Sequence, residues 1–83
     1  MENYGSEITF DISNKPIKLS VSLRLYEAVK RKFTEDYGLK PIREEWGTED
    51  WEQITMCFDN SLDPSSFLRH LHTMSPEQYE ALA

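Results

Sequence analysis

With 83 residues the chain has room for one small domain and no second core. Its hydrophobic share of 39% is a globular rather than a disordered balance, and no apolar run approaches the roughly 18 residues a membrane span needs. A net charge of −6 argues against direct binding to nucleic-acid phosphates, and a single cysteine, Cys57, excludes an internal disulfide, so a cytoplasmic, reducing compartment is expected.

Residues 1–6 carry no periodic pattern and read as a flexible N-terminal arm; residues 7–83 read as a single domain. EITFDI then alternates, with Ile8, Phe10 and Ile12 on one face. SNKP supplies a turn, and IKLSV resumes the alternation with Ile17, Leu19 and Val21. This spacing predicts an antiparallel hairpin, Glu7–Ile12 with Ile17–Val21. A lone hairpin is marginal in water, so its apolar face must pack on helices.

Ser22 is placed to cap a helix over LRLYEAVKRKFTEDYG, where Leu25, Tyr26, Val29, Phe33 and Tyr37 recur at helical spacing and Gly38 marks the stop. LKPIREEWG reads as a connector. Thr48 then caps a second expected helix, TEDWEQITMCFDN, with Glu49, Asp50 and Glu52 in the first turn, where the helix dipole favours carboxylates. Trp51, Ile54 and Phe58 share one face of that helix. Asp63 and Pro64 open a short helix carrying Phe67, Leu68 and Leu71. Ser75, Pro76 and Gln78 form a capping box for a last one, with Met74 and Tyr79 at the positions of a hydrophobic staple. The expected fold is α+β: an N-terminal antiparallel β-hairpin packed against three to four short helices. Its expected core contains Phe10, Leu19, Tyr26, Val29, Phe33, Trp51, Ile54 and Phe58.

Charge is polarised along the chain. Glu44, Glu45, Glu49, Asp50 and Glu52 concentrate −5 around two tryptophans, whereas Arg24, Lys30, Arg31 and Lys32 lie on the first helix. Trp51 has helical partners and is assigned to the fold. Trp46 sits in a connector bounded by Pro41 and Gly47 without such partners, and an exposed indole is a common anchor of protein interfaces. The expected partner-binding surface is therefore Glu44, Glu45, Trp46, Glu49 and Asp50, with Lys30 and Arg31 as the basic counterpart through which copies could associate head to tail.

The residues offer no chemistry beyond this. His70 and His72 are two apart on a helix and diverge, so they do not share a metal. Cys57 lies in an apolar pattern and reads as a buried thiol. Asp59 and Asp63 lack the glycine and closing glutamate of a calcium loop. The acidic stretch has no nucleophile or phosphate loop beside it, so no catalytic, cofactor-binding or metal residues are assigned and a non-enzymatic role is expected.

The hairpin pattern F-x-I-x-N-K-x-I-x-L, the helix beginning SLRLYEAVKRKF and breaking at Gly38, and the short helices around an acidic connector resemble, from Ile8 to Leu82, the small tail-assembly chaperones of long-tailed bacteriophages. These are encoded between the tail-tube and tape-measure genes. The resemblance implies binding to tape-measure and tail-tube proteins in the host cytoplasm, and in many members a longer frameshifted product. An alternative drawn from the −5 stretch is a small acidic inhibitor of a host nucleic-acid-processing enzyme, of the anti-CRISPR or anti-restriction type. A third is a protein that only associates with itself.

Overall fold

The computed structural model describes residues 2–5, 7–46 and 53–82. One antiparallel sheet is built from β1 (Glu2–Asn3), β2 (Ile8–Asp11), β3 (Lys18–Ser22), β4 (Arg43–Trp46) and β5 (Gln53–Cys57), in the order β1-β2-β3-β5-β4, with alternating apolar residues in β2, β3 and β5. Among the described residues three α-helices accompany it: α1 (Leu23–Arg31), α2 (Pro64–Leu71) and α3 (Pro76–Leu82). Their buried residues Leu25, Val29, Phe67, Leu71 and Tyr79 join one cluster with Ile8, Phe10, Leu19, Val21 and Met56 of the sheet. The α+β class is thus as expected, with a larger sheet than one hairpin.

The first hairpin follows its sequence pattern. Ile8 pairs with Val21 and Phe10 with Leu19, and all four are buried. Directly opposite residues share a face, so these pairs form the floor on which the helices rest. On the other face lie Thr9 and Ser20, in register with Thr55 of β5, and the hydroxyls of Ser20 and Thr55 bond at 2.8 Å.

Leu25, Val29 and Phe33 recur every fourth residue and are fully buried. Ser22 stands at the N-cap position of α1, but its hydroxyl donates to Glu7 at 2.7 Å instead of accepting from the helix. Arg24 grips the same carboxylate, and the pair holds Glu7 below its ordinary value, chiefly through the Arg24 hydrogen bond. Beyond Arg31 the helix widens into a π-helical turn, Lys32–Asp36. Gly38 (φ +70°) then reverses the chain, and the Leu39 amide donates to the Phe33 carbonyl at 2.8 Å, closing the end.

The middle of the chain corrects the sequence reading. Gln53–Cys57 is a central strand, not part of a helix over TEDWEQITMCFDN, and Arg43–Trp46 of the expected connector is its hairpin partner. The physical reason lies in QITMC. From Gln53 to Met56, Ile54 and Met56 are fully buried while Gln53 and Thr55 are partly exposed, a period of two that ends at the buried Cys57. The spacing of Trp51, Ile54 and Phe58 also fits a helix, and the short apolar run satisfied both periods. Thr48, Glu49, Asp50, Trp51 and Glu52 lie outside the described residues, so the Thr48 cap and the core position of Trp51 do too.

The last two helices form as expected. Asp63 accepts from the Ser66 amide at 3.1 Å, with Pro64 opening α2. Ser75 and Gln78 exchange both capping-box bonds, at 2.7 and 3.3 Å. Buried Tyr79 donates its hydroxyl to the Leu71 carbonyl at 2.9 Å, and Met74 packs against the same core. Of the expected core, Phe10, Leu19, Val29, Phe33, Ile54 and Phe58 are buried and Tyr26 is half-buried. Cys57 is buried as expected, although from a strand.

Within the arm expected to be loose, Glu2 pairs with Phe10 and Asn3 with Thr9. Tyr4 donates its hydroxyl to the Met74 carbonyl and stacks on His72 at 4.9 Å. Gly5 (φ +86°) passes so close to Pro76 that an added Cβ would meet its ring at 2.8 Å, which ties this end to α3. A two-residue strand has no periodicity to read, so nothing in the sequence pattern marked it.

Candidate protein-binding surface

β4 is the outer strand on one side of the sheet, and among the described residues it pairs only with β5. Its register continues the rows of the first hairpin: Glu44 lies beside Met56 and Leu19, and Trp46 beside Ile54 and Val21. Glu44 and Trp46 thus stand on the helix-facing side, where the other strands place apolar core residues. They differ from those residues because the helices do not reach fully over this strand. Trp46 is 62% exposed, as is Ile42 just before the strand.

Helix α1 reaches the strand through one cluster. The Tyr26 hydroxyl donates to Glu44 Oε2 at 2.6 Å, and Lys30 Nζ donates to the Tyr26 hydroxyl at 3.0 Å. Lys30 also lies 3.1 Å from the same Glu44 oxygen. The Tyr26 ring packs against Trp46 with centroids 5.8 Å apart, and the Lys30 ammonium sits 5.3 Å from the Tyr26 ring. Tyr26 and Lys30 are four apart on α1 and so project from one side of it. The indole is therefore supported along one side and open to water on the rest.

The protonation states of this cluster are fixed at neutral pH. The Tyr26 hydroxyl bond, helped by Lys30, holds the Glu44 carboxyl below its ordinary value of 4.5. Burial, then the bond to Glu44, pushes the Tyr26 phenol up, and the hydrogen bond to Tyr26, then that to Glu44, raises the Lys30 ammonium. All three groups keep their usual charges, and the arrangement positions side chains rather than poising a proton.

On the opposite face of β4, Arg43 and Glu45 bridge each other at 2.9 Å and are largely exposed. Beside the strand, Lys30, Thr34, Lys40, Pro41 and Ile42 line a shallow groove of about 490 Å³.

The expected surface residues therefore divide. Glu44, Trp46 and Lys30 meet in one cluster, and Glu45 sits on the reverse of the same strand. Arg31 is apart, 4.0 Å from Glu35 on its own helix, and Glu49 and Asp50 lie outside the described residues. The basic face is compensated within the chain: Arg24 meets Glu7 and Glu80, and Lys32 meets Asp36 at 2.6 Å. Tyr26, expected in the core, packs at its edge and is tied to Glu44. A tyrosine at the margin of an apolar stripe, one turn before a lysine, is the signal that pointed there, because tyrosine buries its ring and keeps its hydroxyl at a polar edge.

The two histidines part as their spacing requires, His70 stacking on Tyr37 at 4.5 Å and His72 on Tyr4. Among the described residues no three His, Cys, Asp or Glu side chains gather as metal ligands, and no helix is long and apolar enough to cross a membrane. Compared with protein-family models, curated proteins and solved structures, the chain matches none.

Proposed function

We propose that this chain is a non-enzymatic protein-binding module that docks its partner along β4, with Trp46 as the anchor, and that it acts as a tail-assembly chaperone toward phage tape-measure and tail-tube proteins. The observation that carries the docking surface is the exposed indole of Trp46 on an outer strand, braced by Tyr26, whose hydroxyl is in turn fixed by its bonds to Glu44 and Lys30. A large aromatic group so placed contributes little to the core and much to an interface. The identity of the partner rests on the resemblance of the hairpin and first helix to tail-assembly chaperones.

Copurification tests the reading. Tagged chain expressed with tail-tube and tape-measure proteins should retain them, and Trp46→Ala should lose them while staying folded. Retention of a host nuclease instead would favour the acidic-inhibitor alternative, and equal capture by wild type and Trp46→Ala would remove Trp46 from the interface.

A further inference from the structure

The backbone of β4 holds a second kind of information. The Phe58 amide bonds the Ile17 carbonyl at 2.9 Å, and the Ile42 amide bonds the Cys57 carbonyl at 2.8 Å. Backbone groups in an antiparallel ladder alternate sides, so even-numbered residues of β5 turn toward β3 and odd-numbered ones toward β4. In the observed register Arg43 opposes Cys57 and Glu45 opposes Thr55. The N–H and C=O groups of Arg43 and Glu45 are therefore used by β5, and those of Glu44 and Trp46 point outward along the edge. Among the described residues no strand takes them up.

We propose that the occupant of this edge in the free protein is a second copy of the chain, paired antiparallel about a two-fold axis at Glu44; this rests on the reading of β4 as a docking edge and deepens it. Only registers that set even-numbered residues opposite even-numbered ones bring two outward ladders together. Centring on Glu44 sets Arg43 opposite Glu45 of the other copy, twice, so two exposed cross-strand charge pairs add to the 2.9 Å bridge that these residues form within each chain. It also brings Trp46 near Ile42 of the other copy, past the end of the ladder because the Ile42 amide is already bonded to Cys57; these are the two most exposed large apolar residues among those described. The two Glu44 side chains come together, each with its own Lys30 at 3.1 Å, so the centre is a neutral quartet. Shifting the axis to Glu45 would oppose Glu45 to itself and lose both charge pairs. Charges on an edge strand ordinarily repel foreign strands. Here their order is self-complementary, so the same residues that discourage other strands admit a copy. A partner strand and a second copy would then compete for one edge, the dimer being the form of the unoccupied protein.

Sedimentation equilibrium on the full chain at micromolar concentration tests this with reciprocal charge changes. Wild type should show about twice the 9.8 kDa chain mass. Arg43→Glu and Glu45→Arg should each weaken the dimer by about tenfold or more, because each converts both attractive pairs into repulsive ones. The double variant, and an equimolar mixture of the two single variants, should restore it, since both recreate opposite charges across the axis. A wild-type monomer that still captures its partner overturns the dimer alone, and one that captures nothing removes the docking edge as well. A dimer indifferent to both single changes, or not rescued by the double, overturns the register.

Discussion

The two hairpins of this sheet are built on one plan and used differently. In β2–β3 both members of each inward pair are apolar and buried: Ile8 with Val21, Phe10 with Leu19. In β4–β5 only one member is. Ile54 and Met56 are fully buried, and their partners Trp46 and Glu44 are an exposed indole and a carboxylate. The same rows that form the core at the centre of the sheet thus form a surface at its rim, because the helices stop short of the last strand. What distinguishes a core row from an exposed one is coverage by the layer above, which a strand's own alternation does not encode.

Removing apolar volume from the two hairpins should separate them most sharply. Leu19→Ala, at a site with no exposure, should cost about 2–5 kcal/mol in denaturant unfolding. Trp46→Ala removes a larger side chain and should cost under about 1 kcal/mol, the loss being its contact with Tyr26. Comparable losses would mean that β4 belongs to the core. In binding the order should reverse: Trp46→Ala should weaken capture of the partner by about 2 kcal/mol or more, measured by titration calorimetry on the folded variant.

The seam between the hairpins gives a smaller effect. The Ser20 hydroxyl, 2% exposed as a residue, bonds Thr55 at 2.8 Å across β3 and β5. Thr55→Val keeps the shape and strands that hydroxyl, so it should cost about 1 kcal/mol in a thermal melt, and adding Ser20→Ala should recover most of it.

The smallest effect concerns pH. The folded carboxyl of Glu44 is lowered by the Tyr26 hydroxyl bond and by Lys30. Its contribution is therefore present above the ordinary carboxylate value of 4.5 and lost as pH falls through the lower folded value. Because Lys30 is 40% exposed, solvent screens the pair, and wild type should exceed Glu44→Gln by less than about 1 kcal/mol at neutral pH. That margin should vanish in acid, as urea titrations at several pH values would show.

Legibility in the sequence follows the same division. The first hairpin, the buried stripe of α1 and the caps at Asp63 and Ser75 were readable because each depends on neighbours within a few residues. The second hairpin was not: QITMC is short enough to fit both a strand and one turn of a helix, and pairing with β3, more than thirty residues away, decided between them. At the candidate surface, Trp46 stood out through lacking helical partners, and Glu44 through the charge around it. The Tyr26 and Lys30 contacts to Glu44 depend on how α1 crosses the sheet, which no local spacing reports.

Amide hydrogen exchange along β4 tests most directly whether this strand is a docking edge. In the dilute chain, Arg43 and Glu45, bonded to β5, should exchange slowly, while the outward amides of Glu44 and Trp46 should exchange fast. On assembly, with a second copy or with a partner protein, Glu44 and Trp46 should slow to match their neighbours. If they stay fast while protection appears elsewhere on the molecule, β4 is not where this protein binds.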